Sequence, residues 1–124
     1  MSARFDHVDL RVPDLGAAIP FYRCLLSELG FVREAQIENW FQLETEDGSG
    51  FFGITEDRNF RPNANRIAFR AVSCPEVDAL ACRLPQFGAR NIDGPSLEAP
   101  GYYAVFFEDP FGNRLEIVHR ARVG

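Results

Sequence analysis

Two short stretches, His7-Val8-Asp9-Leu10-Arg11-Val12 and Arg66-Ile67-Ala68-Phe69-Arg70-Ala71, decide how the rest of the chain is read. Each alternates strictly, with Val8, Leu10 and Val12, or Ile67, Phe69 and Ala71, on one face. Side chains leave a strand alternately to its two sides, so a period of two predicts a half-buried strand. A helix is predicted after each stretch. Asp14 is placed to cap the first, whose apolar stripe is Leu15, Ile19, Tyr22, Leu26 and Leu29, before Gly30. Ser73 is placed to cap the second, with Pro75 in the first turn and Glu76 completing a capping box. Its stripe, Val77, Leu80, Leu84 and Phe87, ends at Gly88, a residue suited to a left-handed C-terminus. Pro20 predicts a kink or a late start in the first helix, and Pro85 weakens the last turn of the second.

Three strands are then predicted in each half, at 31–35, 38–44 and 51–55 and at 89–92, 102–107 and 113–119. Turns fall at matching points, Glu46-Asp47-Gly48-Ser49-Gly50 and Glu108-Asp109-Pro110-Phe111-Gly112, rich in residues that favour turn conformations. Each half therefore reads β-α-β-β-β, as residues 4–56 and 66–120 joined by a polar linker at 57–65 that contains Pro62. Such a half is too small to hide its own apolar face, so the two are expected to pack as one α+β domain over 1–124.

Composition narrows the partners. The chain has 124 residues, 46% hydrophobic and 25% charged, the profile of a globular domain. It holds no run of about 18 apolar residues, so no membrane span is expected. The opening Met1-Ser2-Ala3-Arg4 passes straight into the alternating pattern, unlike a signal peptide. A net charge of -5 argues against a nucleic-acid partner. All 13 basic residues are arginine, which excludes a lysine Schiff base or lysine general base. Three cysteines at irregular spacing form no disulfide framework, and a reducing cytoplasm is expected. Cys74 starts the second helix, where a thiol can be acidified, but no histidine is near it in sequence.

The opening His7-Val8-Asp9-Leu10 with Val12-Pro13-Asp14-Leu15, the run from Phe21-Tyr22-Arg23 to Leu29-Gly30-Phe31, and the segment 102–119 carry a family likeness. Within the last, Glu108-Asp109-Pro110-Phe111-Gly112-Asn113-Arg114-Leu115-Glu116 is the most specific part. The chain resembles the vicinal oxygen chelate superfamily, which holds glyoxalase I, bleomycin-resistance proteins, fosfomycin-resistance transferases and extradiol dioxygenases. That resemblance implies paired βαβββ modules forming one curled mixed sheet around a shared cavity, usually in homodimers. It also implies a divalent metal bound by His and Glu near strand ends. His7 matches the first-strand histidine and Glu116 the last-strand glutamate. Arg66 stands where the second module's histidine belongs, and the first module's counterpart of Glu116 is Ile54, or Gly53 with one residue gapped.

Strand parity places His7, Asp9 and Arg11, with Arg66, Ala68 and Arg70, on the face away from the helices. Arg114, Glu116 and Val118 share that face in the last strand, while His119 falls on the side of Leu115 and Ile117 and is a poor substitute ligand. Trp40, Gln42 and Glu44 are expected to line the cavity, matched by Tyr102, Ala104 and Phe106. Imidazole and carboxylate suit Zn, Ni, Fe or Mn, but two protein ligands seldom hold a metal firmly. Glu44 and Glu56 are the candidates for a third oxygen. Arginine cannot ligate a cation and repels one, so Arg66 is expected to replace the metal as positive centre and to pair with Glu116. No tightly bound cofactor is then expected.

The first function this supports is a metal-free small-molecule-binding protein like the bleomycin-resistance members. Arg66, Trp40, Gln42, Tyr102, Phe106 and Arg114 would hold its ligand, with a planar group between Trp40 and Tyr102. The Pro95–Gly101 stretch would form an open lid or rim. The alternative is a metal-dependent lyase or dioxygenase with His7 and Glu116 as ligands and Glu116 as proton shuttle. A third is a fold kept for protein contact. The residues leave open whether the protein is an enzyme.

Overall fold

The computed structural model describes residues 4–121; the opening Met1-Ser2-Ala3, read above against a leader, lies outside them. The chain divides into two compact units, Met1–Arg61 and Pro62–Gly124. The first runs β1 (His7–Val12), α1 (Leu15–Glu28), β2 (Phe31–Ile37), β3 (Trp40–Thr45), β4 (Phe51–Glu56). The second repeats the order as β5 (Arg66–Arg70), α2 (Cys74–Phe87), β6 (Arg90–Ala99), β7 (Tyr102–Glu108), β8 (Arg114–Arg120). The strands pair as two mixed four-stranded sheets, β1-β4-β3-β2 and β5-β8-β7-β6, one in each of the two tandem βαβββ modules expected from sequence. In each, the first strand lies parallel to the last and the remaining pairs are antiparallel.

Both helix starts follow from their caps. Asp14 accepts from Ala17 N–H at 3.1 Å, and Ser73 accepts from Glu76 N–H at 3.2 Å. The Glu76 carboxylate reaches back to Val72 N–H at 3.0 Å, one residue before the cap. Helix α1 begins at Leu15 and passes through the exposed Pro20, so the proline does not delay its start. Gly88 closes α2 at φ 101, the left-handed conformation that a β-carbon opposes.

Each sheet buries the face turned to its own helix. Leu15, Ala18, Ile19, Tyr22, Leu25 and Leu26 meet Phe41, Leu43, Phe52 and Ile54 in the first module. Tyr22 stacks on Phe52, ring centroids 5.9 Å apart. In the second module Val77, Leu80 and Leu84 meet Val105, Phe107, Leu115 and Ile117. Full burial of such side chains contributes about 1.5–3 kcal/mol each, and this is what orients the opposite face of each sheet outward from its helix.

Two sequence expectations are corrected. Glu38 is not in a strand: it turns the β2–β3 hairpin at φ 48. The stretch 95–101 is not an open loop either, because β6 continues to Ala99 and a tight turn at Pro100 and Gly101 leads into β7. Proline is tolerated there since β6 is an edge strand whose pairing with β7 slips in register three times.

Candidate functional site

Registers fix which side chains share the outward face of each sheet. In the first module Asp9 pairs across to Gly53, and Gln42 to Gly53, with His7 opposite Phe51 and Trp40 opposite Thr55. In the second, Ala68 and Phe106 both pair with Glu116, Arg66 with Arg114, and Ala104 with Val118. Gly53 is therefore the counterpart of Glu116, which decides between it and Ile54. The same registers match Trp40 to Ala104 and Gln42 to Phe106, shifting by one pair the equivalence expected from sequence.

The face of the first module is closed by rings. The Trp40 indole lies on Gly53, where an added β-carbon would meet Trp40 Cη2 and Cζ2 at 2.8 Å. Its Nε1–H donates to Gln42 Oε1 at 3.0 Å. His7 stacks flat on Phe51, centroids 4.3 Å apart and planes within 6°, with Nδ1 2.7 Å from Asp6 Oδ1. Asp9 accepts from the Thr55 hydroxyl at 2.7 Å. Glu56, a candidate third metal ligand, accepts from Leu15 N–H at 3.0 Å and so serves the start of α1.

The face of the second module is polar and basic. Glu116 is buried, 4% exposed, and its Oε2 accepts from the Tyr102 hydroxyl. That bond, then burial, then the carboxylate's charge hold the Tyr102 phenol above its ordinary pKa, while Arg120 and Arg66 pull it down. Arg66 makes no ion pair with Glu116, contrary to the sequence expectation. Its guanidinium carbon instead lies 4.7 Å from the Phe106 ring centroid, a cation–π contact. Arg114 is exposed and lines a separate depression of about 390 Å³ with Glu108, Phe111 and Arg90. His119 reaches the Ala71 carbonyl at 3.2 Å, consistent with its place on the helix side.

The structure thus joins Arg66 to Phe106, Tyr102 to Glu116, and Trp40 to Gln42, and sets Arg114 apart. Sequence reasoning passed over Arg120, although counting by twos from Glu116 through Val118 reaches it. It placed Arg70 on the face without giving it a role. The most specific motif of the sequence proves to be a turn: Asp109, fully buried, accepts from Phe111 N–H at 2.8 Å and Asn113 N–H at 2.9 Å. Its other oxygen takes Asn113 Nδ2 at 2.7 Å.

The metal implied by the resemblance can be tested against these donors. The four strand-end positions carry His7, Gly53, Arg66 and Glu116, of which glycine offers no donor and arginine repels a cation. Among the described residues no three His, Cys, Asp or Glu side chains are grouped to hold a metal ion. Two of the four positions thus offer no donor to a metal. No helix of the described residues is long and apolar enough to cross a membrane.

Comparison with known proteins agrees with this architecture. Residues 4–117 match the model of the Glyoxalase/Bleomycin resistance protein/Dioxygenase superfamily. The uncharacterized protein YqjT of Bacillus subtilis (strain 168) is 30% identical over 90% of this chain and 95% of its own. A glyoxalase/bleomycin resistance protein from Albidiferax ferrireducens T118 superposes with a TM-score of 0.80 at 28% identity, over 96% of this chain and 100% of that one. The fosfomycin resistance protein FosX from Listeria monocytogenes shares the fold, with a TM-score of 0.74 at 21% identity over 99% and 97% of the two chains.

Proposed function

The chain belongs to the Glyoxalase/Bleomycin resistance protein/Dioxygenase superfamily, and within it we propose a metal-independent small-molecule-binding protein whose positive centre is Arg66. The observation that carries this reading is the substitution pattern at the strand ends. A guanidinium replaces an imidazole, and a glycine under the Trp40 indole replaces a carboxylate. Arg66 is exposed and rests on Phe106, which leaves its N–H edge for a ligand oxygen while the ring supports its face. Tyr102 satisfies Glu116 and keeps that carboxylate from requiring a cation. Trp40 with Gln42 on the first module's face, and Phe106 on the second's, are aromatic and amide surfaces of the kind that small-molecule sites combine with a few charges. Homodimerisation and a cytoplasmic setting belong to the same reading.

The second reading is a metal-dependent lyase or dioxygenase using His7 and Glu116. One experiment separates the two: titration of tag-free protein with Ni²⁺ and Mn²⁺, wild type against Arg66→His, followed by metal content and calorimetry. The wild type is expected to bind no stoichiometric metal. The variant, given a third donor in place of a repelling charge, is expected to bind at least about tenfold more tightly. Tight stoichiometric binding by the wild type with no gain in Arg66→His would overturn the proposal in favour of the enzyme.

A further inference from the structure

The outward face of the second sheet carries more positive charge than Arg66 alone. The registers put Arg66 and Arg70 of β5 and Arg114 and Arg120 of β8 on it, against Glu108 and Glu116, in a chain whose net charge is -5. Both carboxylates are already engaged: Glu116 by Tyr102, Glu108 by Asn91 Nδ2 at 3.0 Å. Arg23 pairs with Glu34 at 2.7 Å and Arg11 with Asp9 at 3.5 Å. The side chains of Arg70 and Arg120 have no hydrogen bond or ion pair with any described residue. Between them lies a depression of about 250 Å³ whose remaining lining is Ala68, Val118 and Tyr102. Two like charges flanking an apolar floor repel each other, and an anion set between them removes that repulsion.

We propose that this depression is an oxyanion subsite, in which Arg70 and Arg120 clamp a carboxylate or phosphate group. The apolar part of the ligand lies on Ala68 and Val118 and against the Tyr102 ring. Guanidinium groups suit this task because their planar forks meet the two oxygens of such a group together. The volume is below the roughly 300–1,000 Å³ of drug-sized sites, so the subsite takes one charged headgroup with a few carbons, not a nucleotide. This deepens the function proposed above and rests on it for the face that receives the ligand. Its residues are nonetheless distinct from Arg66, which does not line the depression.

The test is calorimetric or NMR titration with benzoate, inorganic phosphate and neutral benzamide. The proteins are wild type, Arg70→Gln, Arg120→Gln, Arg66→His and the control Arg58→Gln, which removes equal charge at an exposed loop residue. All of these positions are exposed, and thermal melts confirm the fold of each variant. Saturable binding of benzoate or phosphate but not benzamide is expected, and the tighter of the two anions names the headgroup. Arg70→Gln and Arg120→Gln should each weaken it at least about tenfold, the scale of one charge-assisted bond. Arg58→Gln should stay within about twofold of wild type, a difference too small for a lost direct bond. Absence of saturable binding by the wild type overturns the proposal, as does equal weakening in Arg58→Gln. If only Arg66→His loses the anion, the subsite is wrong and the Arg66 reading stands. If Arg70→Gln and Arg120→Gln alone lose it while the metal titration favours the enzyme, the subsite stands without that reading.

Discussion

Gly53 in the first module and Glu116 in the second occupy the same register position, yet one is bare backbone beneath an indole and the other a buried carboxylate held by a tyrosine. The modules agree element for element in the things that build a sheet against a helix: an alternating first strand, a capped helix, a hairpin and a returning strand. They part on the opposite face, where no helix constrains the side chains. The first module fills that face with Trp40, Phe51 and the flat-stacked His7. The second spreads Arg66, Arg70, Arg114 and Arg120 around Tyr102 and Glu116. A scaffold written twice leaves the outward faces free to diverge, because packing energy is collected on the other side.

The turns between the last two strands of each module extend the comparison and yield its strongest test. Asp109 is fully buried and accepts three hydrogen bonds, whereas Asp47 is exposed at the matching turn. Asp109→Ala removes the bonds its carboxylate accepts from Phe111 N–H and from Asn113, and should destabilise the fold by about 3 kcal/mol in urea unfolding. A loss no greater than that of Asp47→Ala would erase the asymmetry between the turns. The next effect belongs to Gly53. Gly53→Ala drives a β-carbon into the Trp40 indole and should cost about 1–3 kcal/mol. Trp40→Ala in the same chain should recover most of that loss, and a double-mutant cycle without coupling would remove the indole from the glycine.

The smallest effect concerns acid. The Ser49 backbone N–H, then the Ser49 and Thr45 hydroxyls, lower the Asp47 pKa from 3.8 to about 2. A depressed carboxyl stabilises the folded state above its unfolded pKa and loses that contribution as pH falls through the folded value. Asp47→Ala should therefore lower the melting temperature slightly at neutral pH, and the gap from wild type should close between about pH 4 and pH 2. A gap independent of pH would place the role of Asp47 in its shape, not its charge.

Much of the scaffold was legible beforehand because it is local. Val8-Asp9-Leu10 and Ile67-Ala68-Phe69 announce their faces by alternation, and Ser73 with Gly88 mark the limits of α2. Residues 93–99 were not legible, since Gly94 and Pro95 read as turn chemistry and only the slipped pairing with β7 makes them strand. At the candidate site, parity correctly put Arg66, Glu116, Trp40 and Tyr102 outward. It could not tell that Tyr102 rather than Arg66 would satisfy Glu116, because the contact depends on rotamers and not on which face a residue takes.

The sequence by itself determined the doubled βαβββ order, the helix caps and the side of the sheet on which each residue stands, since these depend on periodicity and short-range bonding. Only the tertiary structure decided that Gly53 lies under Trp40, that Arg66 rests on Phe106, and that Arg70 and Arg120 border a common depression. Those facts depend on the register between strands distant in the chain and on the volume each side chain takes from its neighbours, neither of which is written in any local pattern.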